Sequence, residues 1–500
     1  MEEPRAERVF IGSPPSGQRP NEPIMKPLAF LFALLAIGSL RAADRPNVLL
    51  IYIDDLKPMT RDYGEAHMHT PNFDRLAARG LRFERAYCQV PTCGASRASL
   101  MTSRYPTVKR FPDFKCWAEK DAPGVVTLPQ RFKDAGYVTI SNGKIFHHKD
   151  DTGARSWSEP SWRPKTSGRT FHNKETQDFM KTSTATRKLN GKTIKKVPMF
   201  EKSRIGTMES HDGLIAKKTM DDLERLSKSD KPFFIACGFA KPHMPFFAPE
   251  SAWEPYKLPK IALAEWRQRP EPAPASLRQV REQFAYVVRN HALTREIPYN
   301  NDLYHRHMRQ GYYACVTHVD DLTGRLLDKL DQLKLTENTV VVVLGDHGWL
   351  LGENGEWAKN QLLPEALRPA LWMSGPGIAA GKQVDTFVEF VDIHPTLCEL
   401  AGIEVDPDAI DGRSFAAVLK DPSSNHRDHA YTRFGPGDAI TTESHFYVKW
   451  KTEANGEERM LIDLKADSLA KRNIAGEEDQ KERIETLDRK LAAKLEQARN

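Results

Sequence analysis

Four short apolar runs, rich in β-branched and aromatic residues, each break off at a cluster of polar residues. NVLLIYI runs into Asp54 and Asp55, YVTIS into NGKIFHH with Lys144 and His147, PFFIACGFA into Lys241, Pro242 and His243, and TVVVVLG into Asp346 and His347. Such runs suit strands of a parallel sheet buried on both faces. Helical patterns lie between them: TPNFDRLAARG, TLPQRFKDAG and YACVTHVDDLTGRLLDKLDQL, the last with apolar residues at helical spacing. Strands alternating with helices predict an α/β fold, and ligands of such sheets gather beyond the carboxyl ends of the strands. All four polar clusters fall there, so one pattern predicts both the fold and the position of the site.

With 500 residues, 40% of them hydrophobic, the chain can bury a large core in one globular unit or two domains. Disorder of the whole chain is excluded. Its 73 basic and 67 acidic residues leave a formal charge of +6. That excess is too small and scattered for a nucleic-acid protein, though a mildly basic surface suits an anionic substrate. Residues 150–215 and 250–305 are polar with little period, and loops of that length are expected to form lids or substrate walls. From about residue 425 the pattern turns to short alternating runs such as SHFYVKWK and ERMLIDLK, then to a charged helix, DQKERIETLDRKLAAKLEQA. The expectation is a main domain over 44–424 and a smaller C-terminal antiparallel-sheet subdomain with a terminal helix over 425–500.

MKPLAFLFALLAIGSLRAA, from Met25 to Ala43, has a lysine, then an apolar run, then small residues, the order of a secretory signal. The run is shorter than the ~20 residues that span a bilayer. Arg41 or Leu40 would stand three residues before the cut, an imperfect processing site. Export to a periplasmic or extracellular compartment is expected, with no stable membrane span; a retained anchor is the alternative. Residues 1–24 fit no part of such a signal and read as an extension upstream of a start at Met25. Cysteines at 88, 93, 116, 237, 315 and 398 stand apart, without a dense disulfide framework. Cys237 and Cys398, in apolar runs, read as core thiols, and Cys88 with Cys116 is the pairing considered for a bridge.

Adjacent carboxylates at the end of a buried strand repel each other and lose solvation, so Asp54 and Asp55 make most sense beside a cation. The competing reading is a helix cap or turn. Asp346 and His347 arrive from a matching strand end and favour a metal. Oxygen-rich ligation suits a hard ion, calcium or magnesium, while the imidazole leaves its identity open. In VPTCGASRASL, Cys93 stands at the mouth of a helix whose N–H groups favour an anion, and Arg97, one turn on, projects from the same face. Taken alone, Cys93 reads as a small buried thiol; its immediate sequence reverses that reading.

CGASRASLMTSRYP resembles the signature of type I sulfatases, in which the cysteine of a C-x-P/A-x-R core is oxidised to formylglycine. IYIDDLKP, HTPNFDRLAARGLRFERAYCQ, TLPQRFKDAGYVTISNGKIFH, AKPHMPF, LGDHGWLLGENGEWAK, VDIHPTLCELAGI and LIDLKADSLAKRNIA are similar to successive family segments, in family order, over residues 46 to 480. SNGKIFH, KPHMPF and GEWAK are most similar to the iduronate-2-sulfatase-like branch. The resemblance implies an alkaline-phosphatase-like fold, a large mixed sheet flanked by helices. It also implies a calcium site, with magnesium the second choice, made by Asp54, Asp55, Asp346, His347 and modified Cys93. Sulfate contacts are implied from Arg97, Lys144, His147, His243 and Lys359, with Lys241 a weaker candidate.

In the chemistry so implied, one hydroxyl of hydrated formylglycine, activated by the metal, attacks sulfur; the second expels sulfate and restores the aldehyde. Lys144, Arg97 and Lys359 would meet the negative charge spreading over the sulfuryl oxygens. His243 is the candidate acid for the leaving oxygen and His147 holds the sulfate or assists its release, roles that could be exchanged. The expected activity is hydrolysis of O-sulfate esters of a sulfated carbohydrate, such as a 2-sulfated uronate, after maturation by a formylglycine-generating or equivalent enzyme. Two alternatives stand beside it: a phosphomono- or phosphodiester hydrolase of the same fold, and an unmodified sulfated-glycan-binding protein. The chain departs from the family pattern at Ala95, where proline is commoner, and in LMTSR, where LTGR is more frequent. Asn354 stands where the branch usually has histidine, a change expected to alter sugar recognition.

Overall fold

The computed structural model describes residues 45–184, 186–189, 192–290, 295–299 and 301–498; the readings on residues 1–24 and on the signal at 25–43 lie outside them. Strands β1 (Asn47–Ile53), β2 (Gly80–Phe83), β3 (Val138–Gly143), β4 (Phe233–Phe239), β5 (Thr339–Gly345), β6 (Leu371–Ser374) and β7 (Lys382–Val384) form a seven-stranded sheet in the order β7-β2-β6-β5-β1-β4-β3. The four apolar runs are its contiguous parallel part, β5, β1, β4 and β3. Strand β6 runs antiparallel to both β5 and β2, so the sheet is mixed, as expected. Register brings the carboxyl ends level: Ile53 pairs with Gly345 on one side and Phe239 on the other, and Gly143 pairs with Gly238. Asp54, Asp346, Ala240 and Lys144 therefore leave the sheet along one edge. Gly238 is needed there, because a Cβ on it would lie 2.2 Å from the Lys144 carbonyl oxygen.

Alternation along β1 sorts the core into two layers. Leu49, Ile51 and Ile53 pack with helices α1 (Pro71–Arg79), α4 (His211–Leu226) and α5 (Asp302–Gln332). Val48, Leu50 and Tyr52 pack with α2 (Cys93–Thr102), α3 (Leu128–Asp134) and α6 (Ile393–Leu400) on the other face. Each aliphatic side chain so buried contributes about 1.5–3 kcal/mol, which suits the apolar run from Val48 to Ile53.

The alternating C-terminal runs form a four-stranded antiparallel sheet, β8 (His429–Phe434), β9 (Gly437–Thr442), β10 (His445–Thr452) and β11 (Gly456–Asp463). One face, with Tyr431, Ile440, Tyr447 and Leu461, receives helix α7 (Lys481–Gln497) through Leu487 and Leu491. The other, with Phe446, Val448, Met460 and Ile462, packs on Leu350, Leu362, Leu363 and Leu367. The Cys88–Cys116 bridge is not formed. All six cysteines are free thiols, and Cys88 Sγ lies 3.5 Å from the Leu367 carbonyl oxygen. Among the described residues no helix is long and apolar enough to cross a membrane.

Two histidines are held neutral inside this core. His394 in α6 accepts from Arg131 Nε at Nε2 (2.9 Å) and its Nδ1 meets the Met101 carbonyl (3.2 Å); His318 in α5 pairs with Ser210 Oγ (3.0 Å). Burial, helped by the Arg131 charge, lowers His394 to about 3, and burial lowers His318 to about 4. With a depressed folded pKa, each contributes fully above the unfolded value near 6.5 and loses that contribution as pH falls, because only the unfolded chain takes up the proton. Between pH 7 and pH 5 each is expected to cost about 2 kcal/mol of stability. Urea midpoints measured across that range should fall, and should fall less steeply for His394→Gln than for the native chain.

Candidate active site

Helix α2 begins at Cys93, after Thr92 in extended conformation, and all its residues are buried. Gly94 is required by close approach: a Cβ there would lie 2.2 Å from the Phe114 carbonyl oxygen. The Cys93 thiol sits 3.5 Å from His347 Nε2, and that nitrogen is 3.4 Å from both Asp55 Oδ1 and Asp346 Oδ1. Asp55, at φ 68°, directs its N–H to Asp346 Oδ1 at 2.9 Å. Candidate ligand atoms form two groups that share Cys93, one with Asp54, Asp55 and His243 and one with Asp346 and His347, the atoms of each lying within 4.8 Å of one another. All five residues expected at the metal are thus brought together, and His243 joins them. Asp55 Oδ2 is buried without a hydrogen-bond partner, a costly state for a carboxylate oxygen. That orphan, and a donor set of carboxylate oxygens with imidazole, fit a divalent cation.

Cations surround these carboxylates. Arg97 is 0% exposed, and four of its five N–H groups are engaged: Nε donates to Asp346 Oδ2 (2.9 Å), Nη2 to Asp54 Oδ1 (3.0 Å), and Nη1 to the Lys144 and Ile145 carbonyls. Its guanidinium carbon lies 4.6 Å from the Tyr52 ring centroid. Carboxylates and carbonyls thus meet most of the donors of Arg97, which braces the ligand set. Lys144 Nζ donates to Asp54 Oδ2 at 2.6 Å, and Lys359 Nζ to Asp55 Oδ1 at 2.5 Å. Burial pushes Asp54 up, but Lys144 and Arg97 outweigh it and hold the carboxyl well below the ordinary range. Asp55 is pushed well above that range by burial, with only Lys359 and His347 opposing.

Burial also raises the Cys93 thiol to about 11, which leaves about one thiolate in ten thousand at pH 7. As a thiol it is a poor nucleophile, even beside His347. His147 and His243 border the same space. Burial, joined by Lys144, lowers His147 to about 3, and burial with Lys359 holds His243 well below the ordinary range. His243 Nδ1 meets the Met244 carbonyl at 2.5 Å. Lys241 is buried and donates to the carbonyls of His243 (3.0 Å) and Pro245 (2.6 Å), so it props the His243 loop.

A cavity of about 380 Å³ opens over this floor, lined by Asp54, Lys144, His147, Arg169, Lys241 and His243, with Arg163 and His211 also on its wall. Arg163, Arg169 and His211 come from the segment 150–215 and were missed in the sequence; the basic run WRPKTSGR was the available signal. Arg163 donates to the carbonyls of Gly143 (3.1 Å) and Phe146 (2.7 Å), holding the Lys144–His147 loop. Glu282, from the other long segment, was missed as well and carried no signal. Its Oε1 lies 3.5 Å from His243 Nε2 and 3.9 Å from Lys359 Nζ. Asn354 does not reach the cavity; its Nδ2 donates to the Leu469 and Ala470 carbonyls at 3.0 Å each, so the expected effect on sugar recognition is replaced by a structural tie.

The sulfatase family model matches residues 46–403. The chain belongs to the sulfatase family. A second model, the C-terminal part of N-sulphoglucosamine sulphohydrolase, matches residues 352–498. The sulfatase is 34% identical over 444 residues to the iduronate 2-sulfatase of Mus musculus, covering 79% of this chain and 76% of that protein. Solved structures share its fold, among them the following two. One, a complex with the substrate D-glucosamine-2-N,6-O-disulfate, has a TM-score of 0.67 at 22% identity, covering 91% of this chain and 98% of that one. The other, phosphonate monoester hydrolase of Agrobacterium radiobacter, has a TM-score of 0.70 at 22% identity, covering 91% and 96%. As a family member the chain is a sulfuric ester hydrolase, and the family works through a formylglycine residue and a divalent metal.

Proposed function

We propose that the sulfatase is an exported enzyme that removes O-sulfate groups from sulfated carbohydrates, a 2-sulfated uronate among them. In this reading residues 44–424 are the catalytic domain and 425–500 a subdomain beside it, and the signal at 25–43 directs export. Cys93 is converted to formylglycine by a dedicated maturation enzyme, and Asp54, Asp55, Asp346 and His347 hold calcium. The observation that carries the reading is the convergence of Cys93, His347 and three buried carboxylates, one of which, Asp54, lines a cavity walled by cations. Iduronate 2-sulfatase as the relative at 34% identity supports the carbohydrate class.

Residue 93, once matured to formylglycine, would supply a hydrated aldehyde as the nucleophile, and a calcium ion held by Asp54, Asp55, Asp346 and His347 would supply Lewis acidity. Arg97, Lys144 and Lys359 hold the carboxylates in place before substrate arrives, so little reorganisation remains for the reaction. Lys144 and Lys359 also set fixed positive charge where the sulfuryl oxygens gather negative charge. His243 is neutral in the free site because burial and Lys359 disfavour imidazolium. An arriving sulfate ester opposes that field and lets Nε2 take up the proton given to the leaving oxygen, with Glu282 Oε1 at 3.5 Å to stabilise the charged ring. His147 orients the sulfate during transfer and release.

The matured enzyme is expected to hydrolyse p-nitrophenyl sulfate faster than p-nitrophenyl phosphate at equal concentration. A preference for phosphate would replace this reading with that of a phosphoester hydrolase of the same fold. Chelation is expected to bring turnover to background and calcium to restore it. Calcium at about 100 times its Kd should also add about 2.7 kcal/mol of stability, and magnesium less.

A further inference from the structure

Among the cations on the cavity wall, Arg169 stands apart. Lys144 is bound to Asp54 at 2.6 Å, Lys241 to the carbonyls of His243 and Pro245, and Arg163 to those of Gly143 and Phe146. The guanidinium of Arg169 has no hydrogen-bond or ion-pair partner among the described residues, and the residue is exposed at the cavity. Its backbone, by contrast, is held in a closed turn. Thr170 N–H donates to the Ser167 carbonyl (2.9 Å), Ser167 N–H to Thr170 Oγ1 (2.9 Å) and Arg169 N–H to Ser167 Oγ (3.2 Å). Gly168 packs against Ala240 and the Lys241 side chain, which ties this turn to the loop carrying His243.

Among the described residues no protein anion answers the Arg169 guanidinium. Asp54, the carboxylate among the described cavity-lining residues, is already bound by Lys144 and Arg97. A guanidinium fork presents parallel N–H groups that match two oxygens of a carboxylate or a sulfate.

We propose that Arg169 binds a second anionic group on the substrate, a carboxylate or a second sulfate carried near the scissile one, and so sets a preference for doubly charged sugars. This rests on the reading of the enzyme as a carbohydrate sulfatase. The test is kcat/KM on two matched pairs: a 2-O-sulfated uronic acid glycoside against its carboxyl-reduced form, and an N,6-O-disulfated glucosamine against its N-acetyl, 6-O-sulfated counterpart. The native enzyme is expected to favour the more charged member of at least one pair by roughly 10- to 100-fold. Arg169→Ala and Arg169→Gln should erase that preference, and Arg169→Lys should keep part of it; the pair that responds identifies the anion. Equal loss on both members of each pair would make Arg169 a structural prop and overturn the proposal. So would a native enzyme that favours the charged member of neither pair. Turnover of p-nitrophenyl sulfate with none of the sugars is a different failure, since it removes the carbohydrate reading and this proposal with it.

Discussion

Cys93→Ala is expected to lower kcat/KM for sulfate esters by roughly 10⁵-fold or more while the protein still folds. The loss is large because no side chain around Cys93 can replace the reacting group: its neighbours are carboxylates, cations and the imidazole of His347. The fold should survive because the thiol is small and lies at the end of α2, while the core is built by β1, β4 and β5 and the helices over them. Urea denaturation of the variant should stay within about 1–2 kcal/mol of the native chain. Mass analysis of the native peptide that contains residue 93 completes the test. An active enzyme with an intact thiol there would eliminate formylglycine, and an inactive protein with an intact thiol would favour the glycan-binding alternative.

Arg97→Met should cost about 3–5 kcal/mol of stability, together with most activity. The substitution preserves much of the side-chain length but strands Asp54 and Asp346, both buried, without the charge that neutralises them. Arg97→Lys is expected to recover little, since one ammonium cannot bond two carboxylates and two carbonyls together. The stability readout separates the two roles considered for this residue. A ligand of the sulfate alone would change KM and leave the urea midpoint where it was, and that result would restore the contact the family resemblance implies.

Much of the site was legible because its residues follow directly on buried strands. Asp54, Lys144 and Asp346 each come immediately after the last residue of a parallel strand, and Asp55 and His347 one residue later, so an apolar run followed by a polar cluster marks both the element and the direction of its side chains. The C-terminal sheet was readable from its short apolar runs bounded by polar residues, although both faces of β10 and β11 are buried over residues 446–448 and 460–462. Arg163, Arg169 and Glu282 lie in segments with no period, where position depends on contacts made far along the chain. Trp162 illustrates this, exchanging backbone hydrogen bonds with Ser141 and Gly143. The Cys88–Cys116 pairing failed for a related reason: nothing in a spacing of isolated cysteines says which thiols meet.

What the sequence determined by itself is the convergence. Parallel strands that stop at the same level deliver whatever follows them to one edge, so the acidic pairs and the lysine were bound to meet there once the apolar runs were buried. Tertiary structure decided which charges remain available. Arg97 and Arg169 are the same residue type near the same cavity, yet four donors of the first are taken by Asp54, Asp346 and two carbonyls while the second meets no anion among the described residues, because the donors of an arginine are taken by whatever distant parts of the chain fold against it.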